Sequence, residues 1–99
     1  MTRSEVERAF LDIVDDEGLP RPAMNVAWRE YELDAVWMDR KVAVEIDHYA
    51  THGHRTAFER DRVRDIELQI AGFKTARVTD LQIASARETG SRLRRLLGG

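Results

Sequence analysis

Two carboxylates, Asp34 and Glu45, stand out in this 99-residue chain because the pattern around them sets them side by side. The stretches Tyr31 to Met38 and Lys41 to Ile46 alternate with the period of two of β-strands. With Asp39 and Arg40 as a two-residue turn, paired positions sum to 79. Trp37 then faces Val42, Ala35 faces Val44 and Leu33 faces Ile46 on a wholly apolar side, while the other side pairs Val36 with Ala43, Asp34 with Glu45 and Glu32 with Asp47. A slip of one residue would bury the acids, which selects this register. Directly opposed carboxylates, with Cβ atoms about 5 Å apart, repel by roughly 3 kcal/mol at an effective dielectric near 20. A hard cation such as Mg²⁺ would offset that cost, taking one or two carboxylates, keeping several waters and activating one of them for attack on a phosphate. The other reading of the same spacing is a solvated sheet face on which the acids splay apart or pair with arginines.

Glu7 fits a capping box with Ser4 at the start of a helix, and a free oxygen there could also point toward a metal. His48, His52 and His54 cluster after the strand that carries Glu45 and Asp47. They lack the helical spacing of a zinc site, but a neutral imidazole beside the reacting atoms suits general acid or base work near pH 7. Arg55, Arg60, Arg62 and Arg64 alternate with Glu59, Asp61 and Asp65 along a second helix. Many of these would form intrahelical ion pairs, and Arg55, Arg60 and Arg62 are the candidates for phosphate contact.

The elements that must position these residues follow from the same patterning. Val6, Ala9, Phe10, Ile13 and Val14 mark a helix over Ser4 to Glu17, and strands are expected at about Met24 to Trp28, Tyr31 to Met38 and Lys41 to Ile46. A second helix opens with a Thr56 and Glu59 capping box, has Phe58, Val63, Ile66 and Ile70 as its inner face, and ends at Gly72. Phe73 to Thr79 alternates as a fourth strand, parallel to a neighbour because a helix precedes it. Asp80 to Leu97 holds one helix or two, with Leu81, Ile83, Leu93, Leu96 and Leu97 as the apolar side.

Residues 1–99 are expected to form a single domain, being 42% apolar and 34% charged. With no cysteine there are no disulfides and no thiolate chemistry. No apolar run is long enough to cross a bilayer and the first residues lack a signal-peptide core, so the expected location is cytoplasmic. The net charge of −2 hides an asymmetry: residues 1–50 hold six basic and twelve acidic side chains, residues 51–99 ten and six. An acidic half beside a basic half suits a cation-holding cluster next to a phosphate-facing surface.

The runs YELDAVW, VAVEIDHYATH and AFERDRVRDIELQIAGFKTARVT resemble the small nuclease domains related to very-short-patch-repair (Vsr-like) endonucleases, within the restriction-endonuclease-like PD-(D/E)XK superfamily. The resemblance spans Ser4 to about Leu97. It implies an α/β fold with an αβββαβ core, a mixed sheet flanked by helices, and a C-terminal helix. It further implies that Asp34, Glu45 and Asp47 hold Mg²⁺, for which Mn²⁺ could substitute, and that Glu7 and His52 complete the catalytic set. Leu33 stands where the superfamily motif has proline, Asp47 where many members have lysine, and His48 where this branch typically has glycine. The expected function is metal-dependent DNA cleavage, in a homodimer or with a specificity partner, because nothing in the chain reads a base sequence. The competing expectation is a nucleic-acid-binding or interaction module of a repair, restriction or toxin system whose catalysis is weak or lost.

Overall fold

Helix α1 (Arg3–Asp16) is capped by Thr2 and Glu5, not by Ser4 and Glu7. Both pairs satisfy the capping-box spacing, but the earlier one extends the helix and adds backbone bonds such as Val6 N–H to Thr2 O at 3.0 Å. Glu7 is thereby released from end-capping. The structure, a computed structural model, describes residues 2–48 and 55–98, apart from the side chains of 55–57. Val6, Phe10, Ile13 and Val14 are the buried face of α1, as their spacing requires.

Three strands follow: β1 (Ala23–Trp28), β2 (Tyr31–Trp37) and β3 (Val42–Asp47). The expected register of β2 on β3 is present, antiparallel, with Trp37 opposite Val42, Val36 opposite Ala43 and Ala35 opposite Val44. The connection is longer than the expected two-residue turn. Met38–Arg40 form a 3₁₀ turn and Lys41 takes a left-handed φ of 54° to bring the chain back into pairing. After α2 (Arg55–Ile70), β4 (Lys74–Thr79) lies parallel to β3, completing a four-stranded mixed sheet in the order β1-β2-β3-β4. The chain ends in α3 (Asp80–Ala84) and α4 (Ala86–Leu96).

Two apolar clusters sandwich this sheet. Phe10, Trp37, Val44, Val78, Ile83 and Leu93 belong to the one formed with α1, α3 and α4. Leu33, Val36, Ala43, Leu68 and Phe73 form the other beneath α2. The expected side of Leu33 was the first, and it lies on the second. Alternation breaks where the β1–β2 ladder skips Asn25 and Asp34, passing from Met24 opposite Ala35 to Val26 opposite Leu33. Asn25 sits there with φ of 53°. Asparagine tolerates this conformation better than most residues, and the turn of the backbone moves Val26 and Leu33 together to the α2 side.

The expected inner face of α2 is also corrected. Phe58, Val63, Ile66 and Ile70 are exposed, at 52%, 49%, 56% and 73%, whereas Arg64 and Leu68 are buried and Asp61 and Asp65 half-buried. These four are spaced i, i+3, i+4 and i+7, and they pack toward β3 and β4, whose Glu45, Asp47 and Arg77 demand charged partners. The helix also begins at Arg55, so Thr56 lies within it and is not its N-cap. Leu81 is exposed as well, while Ile83, Leu93 and Leu97 are buried. Among the described residues, no helix is long and apolar enough to cross a membrane.

Candidate active site

The β2–β3 ladder stops at Ala35 and Val44, so the expected pairs Leu33–Ile46, Asp34–Glu45 and Glu32–Asp47 are not ladder pairs. Beyond that point β3 continues with β4 alone, Glu45 opposite Arg77, Ile46 opposite Val78 and Asp47 opposite Thr79. The two strands part, and the Asp34 side chain enters the gap. Its Oδ2 accepts the backbone N–H of Ile46 at 2.8 Å. The aspartate thus does the pairing that its own backbone does not.

Glu45 is buried, only 4% exposed, and its Oε1 has no hydrogen-bond partner. Burial, followed by the negative charge of Asp34, pushes its carboxyl up to about 8, with Arg64 and Arg77 pulling the other way. The effect of the Asp34 charge on Glu45 sets the two carboxyls beside each other. The proximity expected of this pair therefore holds, although it arises from a side chain bridging parted strands.

On the α1 side, Arg3 gathers acids from two elements. Its Nε donates to Glu7 Oε2 at 3.2 Å, and its Nη2 lies 3.7 Å from both Asp34 Oδ1 and Glu32 Oε1. Asn25 Nδ2 donates to the other Glu7 oxygen at 3.1 Å, so the left-handed residue of β1 also fixes the helix acid. On the α2 side, Asp47 is engaged by Arg77, with Nη1 at 3.2 and 3.3 Å from its two oxygens. Arg77 Nη2 also donates to Asp65 Oδ2 at 2.9 Å. Burial disfavours the charged form of Arg77, but Asp65, Asp47 and Asp61 outweigh it and hold the guanidinium above its usual range. Arg64 Nη2 lies 3.5 Å from Glu45 Oε2.

Among the described residues, no set of three or more His, Cys, Asp or Glu side chains is arranged to hold a metal. The pair Asp34 and Glu45 nevertheless suits a hard divalent cation. Both offer oxygen, one of those oxygens is buried without a partner, and Mg²⁺ needs only one or two carboxylates. Glu7 reaches this pair through Arg3, and Asp47 lies on the Arg77 side.

The overall arrangement has a counterpart among solved structures. The fold is similar to that of a homing endonuclease catalytic domain. The catalytic domain of the homing endonuclease I-Bth0305I matches with a TM-score of 0.74 at 14% identity, over 92% of this chain and 91% of that one. No family model and no curated protein matches the chain. The expected α/β fold, a mixed sheet flanked by helices with a C-terminal helix, is thus present and shared with that endonuclease domain.

Two of the expected phosphate contacts lie at the surface. Arg60 stacks over the Tyr31 ring at 4.9 Å and donates Nη2 to Glu30 O at 2.8 Å, anchoring α2 to the β1–β2 turn at the Asp34 end of β2. Arg62 covers Phe58 at 4.3 Å and approaches Asp65 at 3.5 Å. The roles expected of His52 and of the Arg55 side chain, and the position of His54, lie outside the described residues. His48 follows β3 and is half-buried. Sequence reasoning gave no site role to Arg3, Asn25 or Arg77, and it placed Arg64 among the intrahelical ion pairs, of which Arg64–Asp61 is one, without its reach to Glu45. An asparagine in mid-strand was the available signal for Asn25. For Arg64 and Asp61 it was their three-residue spacing in phase with Leu68.

Proposed function

We propose that this chain is a Mg²⁺-dependent endonuclease domain that hydrolyses DNA phosphodiesters, of the PD-(D/E)XK type related to very-short-patch-repair enzymes. The observation that carries this reading is the buried Glu45, whose Oε1 lacks a partner, beside Asp34 where β2 and β3 part. Its likeness in fold to an endonuclease catalytic domain supports the same conclusion.

In this reading Asp34 and Glu45 hold the cation, and Asp47 and Glu7 orient its surroundings through Arg77 and Arg3. When bound, Mg²⁺ supplies charge neutralisation at the phosphate and lowers the pKa of water. Asp34 is held at the gap by the Ile46 N–H, which fixes one oxygen and leaves the other toward Arg3. Arg3 is 69% exposed at its side chain and is free to exchange its carboxylate contacts for a phosphate oxygen. His52 moves the proton between attacking water and leaving oxygen. Arg55, Arg60 and Arg62 hold the strand by its phosphates, and Mn²⁺ substitutes for Mg²⁺. Among the described residues one copy has one such site, so a double-strand break would take a homodimer or a partner, and residues 1–99 act as one cytoplasmic domain.

The second reading, a nucleic-acid-binding module with weak or absent catalysis, draws on the internal pairing of the acids. Arg3 already spans Glu7, Glu32 and Asp34, and Arg77 already holds Asp47. Incubation with supercoiled plasmid in Mg²⁺, Mn²⁺ or EDTA separates the two. Metal-dependent nicking that disappears in Asp34→Asn supports the endonuclease. A folded protein that shifts DNA on a gel but cuts with no metal supports the module.

A further inference from the structure

The charged row of α2 is the part of the sequence that the proposed chemistry leaves unused. Asp61, Arg64 and Asp65 lie on the inner face of the helix, where Leu68 completes the row. Arg64 is 9% exposed and Glu45 4%, so their contact is made out of water. Arg64 reaches Glu45 Oε2 at 3.5 Å with one terminal nitrogen and Asp61 Oδ1 at 3.4 Å with the other, while its Nε lies 3.9 Å from Asp65 Oδ1. Asp65 is in turn held by Arg77 at 2.9 Å, and Asp61 by Arg77 at 3.6 Å. The guanidinium is therefore braced on its own helix by Asp61, itself approached from β4 by Arg77, while Arg64 Nε and Asp65 Oδ1 make no hydrogen bond.

Burying these groups costs more than burying hydrocarbon. The same helix carries Val63, Ile66 and Ile70 on its opposite side, exposed. An apolar face was at hand, yet the charged one lies against the sheet. What that arrangement achieves is visible at Glu45. An ion pair at 3.5 Å sets Arg64 beside Oε2, while Oε1 has no partner, so one oxygen faces the guanidinium and the other is on offer.

We infer that Arg64 is the positioning residue of Glu45, pinning one carboxylate oxygen so that the other is presented to a divalent cation at Asp34, with Asp61 as its brace. This rests on the metal-site reading proposed above. Electrostatically Arg64 acts on metal affinity in two opposed ways, repelling an incoming cation and easing the proton off Glu45, so a loss on its removal that persists as the titration pH is raised is the mark of positioning.

The test is a calorimetric titration of the purified chain with Mn²⁺, for the parent, Arg64→Met, Arg64→Lys, Asp61→Asn and Glu45→Gln, each checked for folding by circular dichroism. The expected result is a tenfold or greater loss of Mn²⁺ affinity in Arg64→Met that persists as the titration pH is raised, partial recovery in Arg64→Lys, and a smaller loss in Asp61→Asn, which keeps the arginine but removes its brace. A folded Arg64→Met that binds Mn²⁺ as tightly as the parent, or more tightly, or whose loss vanishes as the pH is raised, overturns the inference. Where Arg64→Met does not fold, an Asp61→Asn affinity equal to that of the parent overturns it. A parent chain that binds no Mn²⁺, or binds it equally in Glu45→Gln, takes down the metal-site reading and this inference together. Glu45-dependent binding that Arg64 does not influence takes down this inference alone.

Discussion

The Asp34 carboxylate accepts the backbone N–H of Ile46 at 2.8 Å, in the place where the β2–β3 ladder has ended. One side chain therefore closes the sheet and carries charge to the Glu45 carboxyl.

Asp34→Asn keeps an oxygen acceptor for Ile46 and removes the charge. Plasmid nicking should be lost while the unfolding midpoint in urea stays close to that of the parent. Asp34→Ala also leaves the part-buried Ile46 N–H unpaired and should cost about 1–3 kcal/mol of stability. Nicking by Asp34→Asn at the parental rate would remove Asp34 from the proposed metal site.

The metal-free protein should lose stability as pH rises toward 8. Burial and then Asp34 push the Glu45 carboxyl from its ordinary 4.5 to about 8. Between those values the native state keeps a proton that the unfolded chain has released. This contribution is complete below about 4.5 and falls away as pH climbs through the native value, by up to about 1.4 kcal/mol per pH unit. In EDTA, the unfolding free energy of Glu45→Gln should gain on that of the parent across this window. A constant difference would show that Glu45 does not titrate there.

Leu68→Ala and Ile66→Ala report which way α2 faces. Leu68 is fully buried in the cluster beneath α2, and its truncation should cost about 2–5 kcal/mol. Ile66 is 56% exposed, so its truncation should change stability by no more than about 0.5 kcal/mol. Urea unfolding gives both numbers, and the reverse order would mean that the helix packs by its apolar stripe.

Arg60 is held against Tyr31 and Glu30 with its guanidinium at the surface. Arg60→Ala should weaken binding of a DNA duplex in fluorescence anisotropy and reduce the slope of log K against log salt by about one. An unchanged slope would place the phosphates on another part of the surface.

The proximity of Asp34 and Glu45, the β2–β3 register at Trp37–Val42 and the parallel placement of β4 were all legible in the sequence. The register and the placement of β4 follow from the parity of side chains along paired strands and from the length of a crossover, which are local or pairwise properties, whereas the two carboxyls meet because the Asp34 side chain bridges strands that have parted. The capping-box rule was legible too, but two overlapping matches competed, and the one using Thr2 gave the longer helix.

Only the tertiary structure decided the faces of α2 and the switch at Asn25. Periodicity within α2 offers an apolar stripe at Val63, Ile66 and Ile70 and a mixed one at Asp61, Arg64, Asp65 and Leu68, and it cannot rank them. The ranking is made by the sheet, where Glu45, Asp47 and Arg77 face the helix and, once buried, require opposite charges that the apolar stripe lacks. Likewise, the strand pattern treats Asn25 and Asp34 as ordinary alternating residues. The left-handed turn at Asn25 carries Val26 and Leu33 to the other face, and the Asp34 carboxylate takes up a backbone donor that strand pairing leaves open.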